Sequence, residues 1–289
     1  MMQRMAKSSK RGRAFPSAPS DPHKRNLIIA GVLGLVMVVA VGVGLAYDQN
    51  RLAGAEATES VGYEVPDDVT PVSGKTDLAA VGQALLAPEP YVMTVVGDST
   101  GNGEAEWVYI LAQHLSRLGR SVLIHDWDPD LNQYTTESKF GPGGVPTLTI
   151  WNGSAAGKNT VYSQANWDAL VPETPNFVVF SHAHNQTDVS QGVSGVTQMV
   201  RRTLPDTAVA VILQNPRLDD AADRQAATVA ALRKQFESEA ARPALIDVWT
   251  AFQQAPDLAP LLEPDRFHPS RAGEELWEQV VSTALALPQ

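Results

Sequence analysis

A serine, two glycines, an asparagine and an Asp–His pair fall in four short segments of the chain. The first is "VVGDSTGNGEAEW" (95–107), in which Ser99 follows Gly97 and Asp98 directly after the apolar run 91–96. A helix-like pattern comes next, so Ser99 would sit near a helix start, where outward-pointing N–H groups can bind an oxyanion. On its own the segment also reads as ordinary turn and capping chemistry. The second segment is "WNGSAAGKNT" (151–160). Asn152, Gly153 and Gly157 would let the backbone approach a ligand closely, with Gly157 the better N–H donor; a flexible loop is the alternative.

The third segment, "SHAHNQTD" (181–188), crowds two histidines and an asparagine together. Asn185 can offer a side-chain N–H to an oxyanion. His182 and His184 are of metal-ligand type. Residues two apart share a side only while a strand continues, however, and no third ligand lies nearby in sequence. No metal is therefore expected, and His182 reads as a histidine packed at a sheet rim. The fourth segment is "EPDRFHPSRAG" (263–273). Asp265 and His268, three apart and followed by Pro269, can present a carboxylate and an imidazole on the same side of a loop. Ser270 is also a good helix N-cap, which is compatible with that role.

The elements that must carry these segments are short apolar strands alternating with amphipathic helices. Strands are predicted at 91–96, 121–127, 147–151, 176–181 and 208–214, with a further short one at 244–249. Helices are predicted at 104–119, 160–170, 188–203, 219–239 and 270–287. Trp107, Ile110, Leu111, His114, Leu115 and Leu118 fall on one helical stripe, and Gly119 is a stop signal. Continuous apolar strands between helices indicate a parallel sheet covered on both faces, a three-layer α/β/α architecture. Ligands of such sheets bind beyond the strands' carboxyl ends, and three of the four segments lie directly after apolar runs. The stretch 128–144 is expected to be long and irregular, bordering the pocket. Trp127, Tyr134, Trp151 and Trp167 are candidates for an aromatic surface; Trp107 and Trp249 read as core.

The order and spacing of the four segments resemble the SGNH hydrolases, or GDSL esterase/lipase family, over about residues 90–289. Gly97-Asp98-Ser99 matches the block that carries the nucleophile. Asn152 and Gly157 match an Asn-x-x-x-x-Gly block. The third block, usually Gly-x-Asn-Asp, here reads Ala183-His184-Asn185-Gln186 and keeps only the asparagine. Asp265, His268 and Pro269 match the last block fully. No G-x-S-x-G pentapeptide surrounds Ser99, unlike the α/β-hydrolases, whose Asp and His also lie on separate loops. The resemblance implies a flavodoxin-like parallel sheet and a Ser99–His268–Asp265 triad. The implied oxyanion hole is made of the Ser99 and Gly157 N–H groups and the Asn185 amide. It implies hydrolysis of acyl esters with no metal and no organic cofactor; with the aromatic candidates above, carbohydrate-linked esters are expected before lipid esters. An O-acyltransferase moving the acyl group to or from a glycan, a lysophospholipase-type lipase and a non-catalytic binding domain are the alternatives.

Composition limits the remaining possibilities. The chain has 289 residues and no cysteine, which excludes disulfides, thiolate zinc sites and a cysteine nucleophile. Residues 1–25 hold seven of the 22 Lys and Arg but one of the 32 Asp and Glu, so the rest carries a net charge of −16. Such a domain repels phosphate backbones, and nucleic acid is not an expected partner. Residues 27–47, "LIIAGVLGLVMVVAVGVGLAY", are 21 uncharged residues, and at about 1.5 Å each a helix of them spans roughly the 30 Å of a hydrocarbon core. A cleavable signal peptide is the rival reading, with Gly44 and Ala46 as small residues before Tyr47, but its apolar region is usually shorter, about 7–15 residues. The expected organisation is a basic cytoplasmic segment (1–26), a membrane anchor (27–47), a linker (48–88) and an extracytoplasmic catalytic domain (89–289).

Overall fold

The computed structural model describes residues 75–142, 147–238 and 242–289. The chain divides after residue 56, and all described residues belong to the second unit. The expected basic segment, membrane anchor and most of the expected linker lie outside the described residues. Among the described residues no helix is long and apolar enough to cross a membrane.

The sheet has the order β3-β2-β4-β1-β5-β6-β7. Its strands are β1 (Tyr91–Gly97), β2 (Val122–Asp128), β3 (Gln133–Phe140), β4 (Leu148–Asn152), β5 (Phe177–Ser181), β6 (Ala208–Leu213) and β7 (Ala244–Asp247). β1 lies at the centre, parallel to β4 on one side and β5 on the other. Set apart from the β2–β3 hairpin, the strands β4-β1-β5-β6-β7 have the flavodoxin-like order 2-1-3-4-5. The hairpin corrects the expectation for 128–144. That stretch is not irregular throughout, because β3 pairs antiparallel with β2 and makes the sheet mixed. β3 escaped notice because it is an edge strand, polar and largely exposed along "QYTTESK", with no apolar run to mark it.

The helices are α1 (Leu78–Leu86), α2 (Trp107–Arg117), α3 (Thr160–Ala165), α4 (Trp167–Leu170), α5 (Val189–Arg202), α6 (Ala222–Phe236), α7 (Val248–Gln254) and α8 (Arg271–Ala284). One apolar layer joins Met93, Val95, Ile124 and Ile150 of the sheet to Leu111, Leu115, Phe252 and Trp277 of α2, α7 and α8. The opposite layer joins Val96, Val178, Phe180 and Val211 to Val196, Met199 and Leu232 of α5 and α6. Burial on both faces explains why β1, β5 and β6 read as continuous apolar runs.

Two elements depart from the expected boundaries. α1 falls inside the stretch read as a linker. Asp77 caps it, accepting from the N–H groups of Ala79 (3.0 Å) and Ala80 (3.1 Å). Val81 and Leu85 are buried in the core, so folded structure begins before residue 89. Gly82 is what allows this docking: a Cβ there would lie 1.8 Å from the Leu285 carbonyl oxygen just past α8. The last strand stops at Asp247, not Trp249, because the Asp247 carboxylate accepts from the Thr250 N–H at 3.0 Å and starts α7.

Helices α2 and α8 are locked together where the Ser99 turn meets the segment that follows His268. The rings of Trp107 and Trp277 stack with centroids 6.2 Å apart. Glu274, in the first turn of α8, accepts from the Trp107 N–H at 2.8 Å. Glu106 accepts from the Gly103 N–H, also at 2.8 Å. Burial pushes both acids up, Glu106 to about 7 and Glu274 to about 9, the latter raised further by the Glu106 charge. An acid raised in the folded state stabilises most when protonated. Stability should therefore fall as pH rises from the ordinary value of 4.5 towards about 9, where the unfolded chain ionises and folded Glu274 does not. Glu274→Gln keeps an acceptor for Trp107 and should flatten this decline above neutrality; parallel pH–melting curves for variant and wild type would count against it.

Candidate active site

The loops leaving the carboxyl ends of β1, β4 and β5 meet the loop that precedes α8. Ser99 Oγ lies 2.8 Å from His268 Nε2, and His268 Nδ1 lies 2.7 Å from Asp265 Oδ2. Burial tends to raise the Asp265 carboxyl. The His268 ring and the backbone N–H groups of Phe267 and His268 outweigh this and hold it below the usual range. Asp265 is thus ionised at neutral pH and accepts the Nδ1 proton, which leaves Nε2 as the acceptor facing Ser99. The site is open: the side chains of His268 and Asp265 are 32% and 41% exposed.

The Asp265–His268 loop is held by several hydrogen bonds. Asp265 Oδ1 accepts from both Phe267 N and His268 N at 3.1 Å. Arg266 adopts φ +68°, unusual for a residue with a side chain. Its neighbours enforce this, since Arg266 N donates to Glu263 O and Leu218 N donates to Arg266 O, both at 2.8 Å. Ser270 caps α8 as expected, accepting from Gly273 N at 3.3 Å. Capping and triad geometry are therefore both served by one short segment.

The Ser99 turn is not at a helix start, as expected from sequence, because α2 begins only at Trp107; it is anchored from below instead. Asp98 is fully buried, and its Oδ1 accepts from Thr100 N (3.2 Å), Thr100 Oγ1 (2.9 Å) and Gln214 Nε2 (3.0 Å). Asn152 does not face Ser99 as a donor. Its amide donates to the Gly101 carbonyl (2.8 Å) and to Asp126 (3.1 Å), and so ties the Ser99 loop to β2 and β4. Gly157 has φ +70°, a conformation that favours glycine. The backbone N–H groups of Ser99 and Gly157 have no acceptor among the described residues. The Asn185 amide donates to Lys158 O at 3.2 Å, next to Gly157, and keeps a second N–H. Ser99, Gly157 and Asn185 thus each keep an N–H without a partner among the described residues.

The two histidines of the third segment serve packing. His182 is buried at the rim, as expected, with Nε2 2.9 Å from Ser163 Oγ, and burial lowers its pKa to about 4. His184 is equally buried; its Nε2 donates to Asn215 O at 3.0 Å, and burial lowers its pKa too. Among the described residues no group of three or more His, Asp or Glu is placed to hold a metal ion. The aromatic surface is smaller than expected. Trp127 and Trp167 are buried, the former donating to Tyr162 Oη at 2.9 Å. Trp151 is half-buried, stacked on His125 and bonded to Glu173. Tyr134 donates to Leu170 O at 2.7 Å.

Comparison with known proteins reaches the same architecture. The fold is that of the SGNH hydrolases. A lipase/acylhydrolase from Enterococcus faecalis superposes with a TM-score of 0.51 at 16% identity, covering 68% of this chain and 96% of that one. A two-domain esterase active on acetylated mannans gives a TM-score of 0.52 at 15% identity, covering 75% of this chain and 54% of that one. A lipolytic protein of the G-D-S-L family from Desulfitobacterium hafniense gives 0.50 at 14% identity, with 67% and 98% covered. No protein-family model and no curated protein matches the sequence. At these identities the likeness is one of fold, and the chemistry rests on this chain's own residues.

Gln214, Asn215 and Arg217 were not singled out from sequence, although they follow the apolar run of β6 and so occupy a strand end on the ligand side. The only signal was position, since glutamine and asparagine there carry no chemistry of their own. The geometry predicts that a fluorophosphonate labels Ser99, and that Asp265→Asn, which leaves His268 without its anionic partner, slows labelling about 10²-fold or more. Equal labelling rates for the two proteins, followed by mass spectrometry, would show that Asp265 does not support the base.

Proposed function

We propose that the protein is a serine ester hydrolase acting on acyl esters. The observation that carries this reading is the unbroken chain Asp265–His268–Ser99, with contacts of 2.7 and 2.8 Å. A serine hydroxyl is a weak nucleophile without a base in hydrogen-bond reach. His268 Nε2 takes the Ser99 proton as Oγ attacks the ester carbonyl carbon, and Asp265 stabilises the imidazolium that forms. The carbonyl oxygen becomes an oxyanion and is met by the N–H groups of Ser99 and Gly157 and the free N–H of Asn185. The tetrahedral centre collapses, the ester C–O bond breaks, and His268 returns the proton to the leaving alcohol. Water, activated by His268, then attacks acyl-Ser99 and releases the acid.

The substrate class favoured is a short acyl ester on a carbohydrate. The similar fold of an esterase active on acetylated mannans supports it. The openness of the site to solvent favours water over a sugar hydroxyl as acceptor, so hydrolysis ranks above O-acyl transfer. The acidic domain disfavours strongly anionic substrates. The uncharged run 27–47 behind a basic head supports a single membrane anchor with the catalytic domain outside the cytoplasm.

Ser99→Ala should abolish hydrolysis of a short-chain nitrophenyl ester while the protein stays folded; activity surviving in the purified variant would rule Ser99 out as nucleophile. Asn185→Ala should lower kcat about 10²–10³-fold with a smaller effect on KM, as expected for a donor that acts in the transition state. Acyl products assayed with and without an added acceptor sugar separate hydrolysis from transfer.

A further inference from the structure

Ser99 and His268 come from loops 169 residues apart, and they share one hydrogen bond. Something must hold those loops in register before substrate arrives. The five residues that follow β6, Gln214 to Leu218, touch both of them and the Asn185 loop as well.

Gln214 is fully buried at the end of β6. Its Nε2 lies 3.0 Å from Asp98 Oδ1, 3.0 Å from Thr100 Oγ1 and 3.0 Å from Ser181 O, so the residues on either side of Ser99 bear on one amide. Its Oε1 accepts from His184 N at 2.9 Å, one residue before Asn185. The next residue, Asn215, is also fully buried; its amide donates to Phe267 O at 3.1 Å, one residue before His268. Its own carbonyl accepts from His184 Nε2 and from Gln225 Nε2, which leaves it little freedom. Arg217 places its guanidinium 4.6 Å from the centre of the Phe267 ring and donates to His184 O at 2.8 Å. The Phe267 ring in turn lies 3.9 Å from the His268 ring. Leu218 N closes the contact by donating to Arg266 O at 2.8 Å.

We propose that Gln214 and Asn215 are positioning residues of the hydrolytic reaction, two adjacent amides that span from the nucleophile turn to the acid–base loop and set the Ser99–His268 contact. The proposal rests on the hydrolase reading for its kinetic consequences. The amides touch neither Ser99 nor His268, so they act through Asp98 and Phe267. A displacement of about 1 Å at a reacting pair can cost about 10²-fold in rate. The loss should therefore fall on acylation and leave binding almost untouched.

The test uses Gln214→Leu and Asn215→Ala in the full chain, with fluorophosphonate labelling of Ser99, ester kinetics and thermal melting measured on the same preparations. Each variant should label about 10–100-fold more slowly and lose kcat by a similar factor, with KM within about twofold. A purely structural role would lower the melting temperature and leave the labelling rate of the folded protein at the wild-type value, and that result overturns the proposal. Gln214→Glu gives a second reading. Asp98 accepts from Gln214, and His182, His184, Arg217 and His268 are the other titratable or charged groups of this cluster; only the protonated carboxyl can still donate to Asp98. Its labelling rate relative to wild type should rise as pH is lowered, whereas that of Gln214→Leu should not; the same ratio at every pH contradicts a donor role. Should Asn215→Ala not fold, Asn215→Leu keeps the volume but loses the donor to Phe267 O, and the same loss of labelling is expected; a wild-type labelling rate would overturn the claim. If the wild type neither hydrolyses esters nor labels, the hydrolase reading fails. The positioning claim then still stands or falls on the His268 Nδ1–H resonance, which should shift in Asn215→Ala and which would refute it by staying in place.

Discussion

The 2.8 Å contact between Ser99 and His268 is a junction between two ends of the chain, and its geometry is only as good as the frame beneath it. That frame is the carboxyl edge of a parallel sheet. β1 is held on both sides by parallel partners, so the turn that carries Ser99 leaves a strand with no freedom to slide. Below the turn, Asp98 is buried and bonded to Thr100 and Gln214. Beyond it, α2 begins with its first N–H held by Glu274 of α8, the helix that continues from His268. Ser99 and His268 are therefore braced twice, once through the sheet edge and once through the α2–α8 pair.

Charge is distributed with the same asymmetry. Solvent reaches Asp265 and His268, and Asp265 is held ionised by the donors around it. Under the serine, His182 and His184 are kept neutral by burial and serve as hydrogen-bonding spacers. An imidazole that must gain a proton during reaction needs solvent or an anion to stabilise it; one that must hold a loop in place is better without a charge. His268 thus has both solvent and a carboxylate at its ring, whereas His182 and His184 are buried on neutral partners.

Much of this was legible in the chain. β1, β5 and β6 are buried on both faces and show as apolar runs, and β4 shows as a shorter one with one face half-buried. Ser99 and Asn185 were found because they follow such runs, and Asp265–His268 because an acid and an imidazole stand three apart before a capped helix. What stayed hidden has physical causes. β3 is a polar edge strand that needs no apolar run. α1 is nine residues with a glycine in the middle, and that glycine is there for contact with Leu285, far along the chain. Gln214 acquires its role only from partners as distant as 116 residues, which no local pattern records. Trp127 was one candidate for an aromatic surface, but it is buried and a Tyr162 hydroxyl already satisfies its indole N–H.

The β2–β3 hairpin has one more effect. Without it β4 would be the outermost strand, and the loop that ends in Gly157 would hang from a margin paired on one side only. With it, β4 is paired to β1 and β2 along its length, and the outer margin passes to β3, whose exposed Thr135, Thr136, Glu137 and Lys139 offer little to a stray strand from another molecule. Fraying, which begins at the rim of any sheet, is thereby moved two strands away from the Gly157 loop.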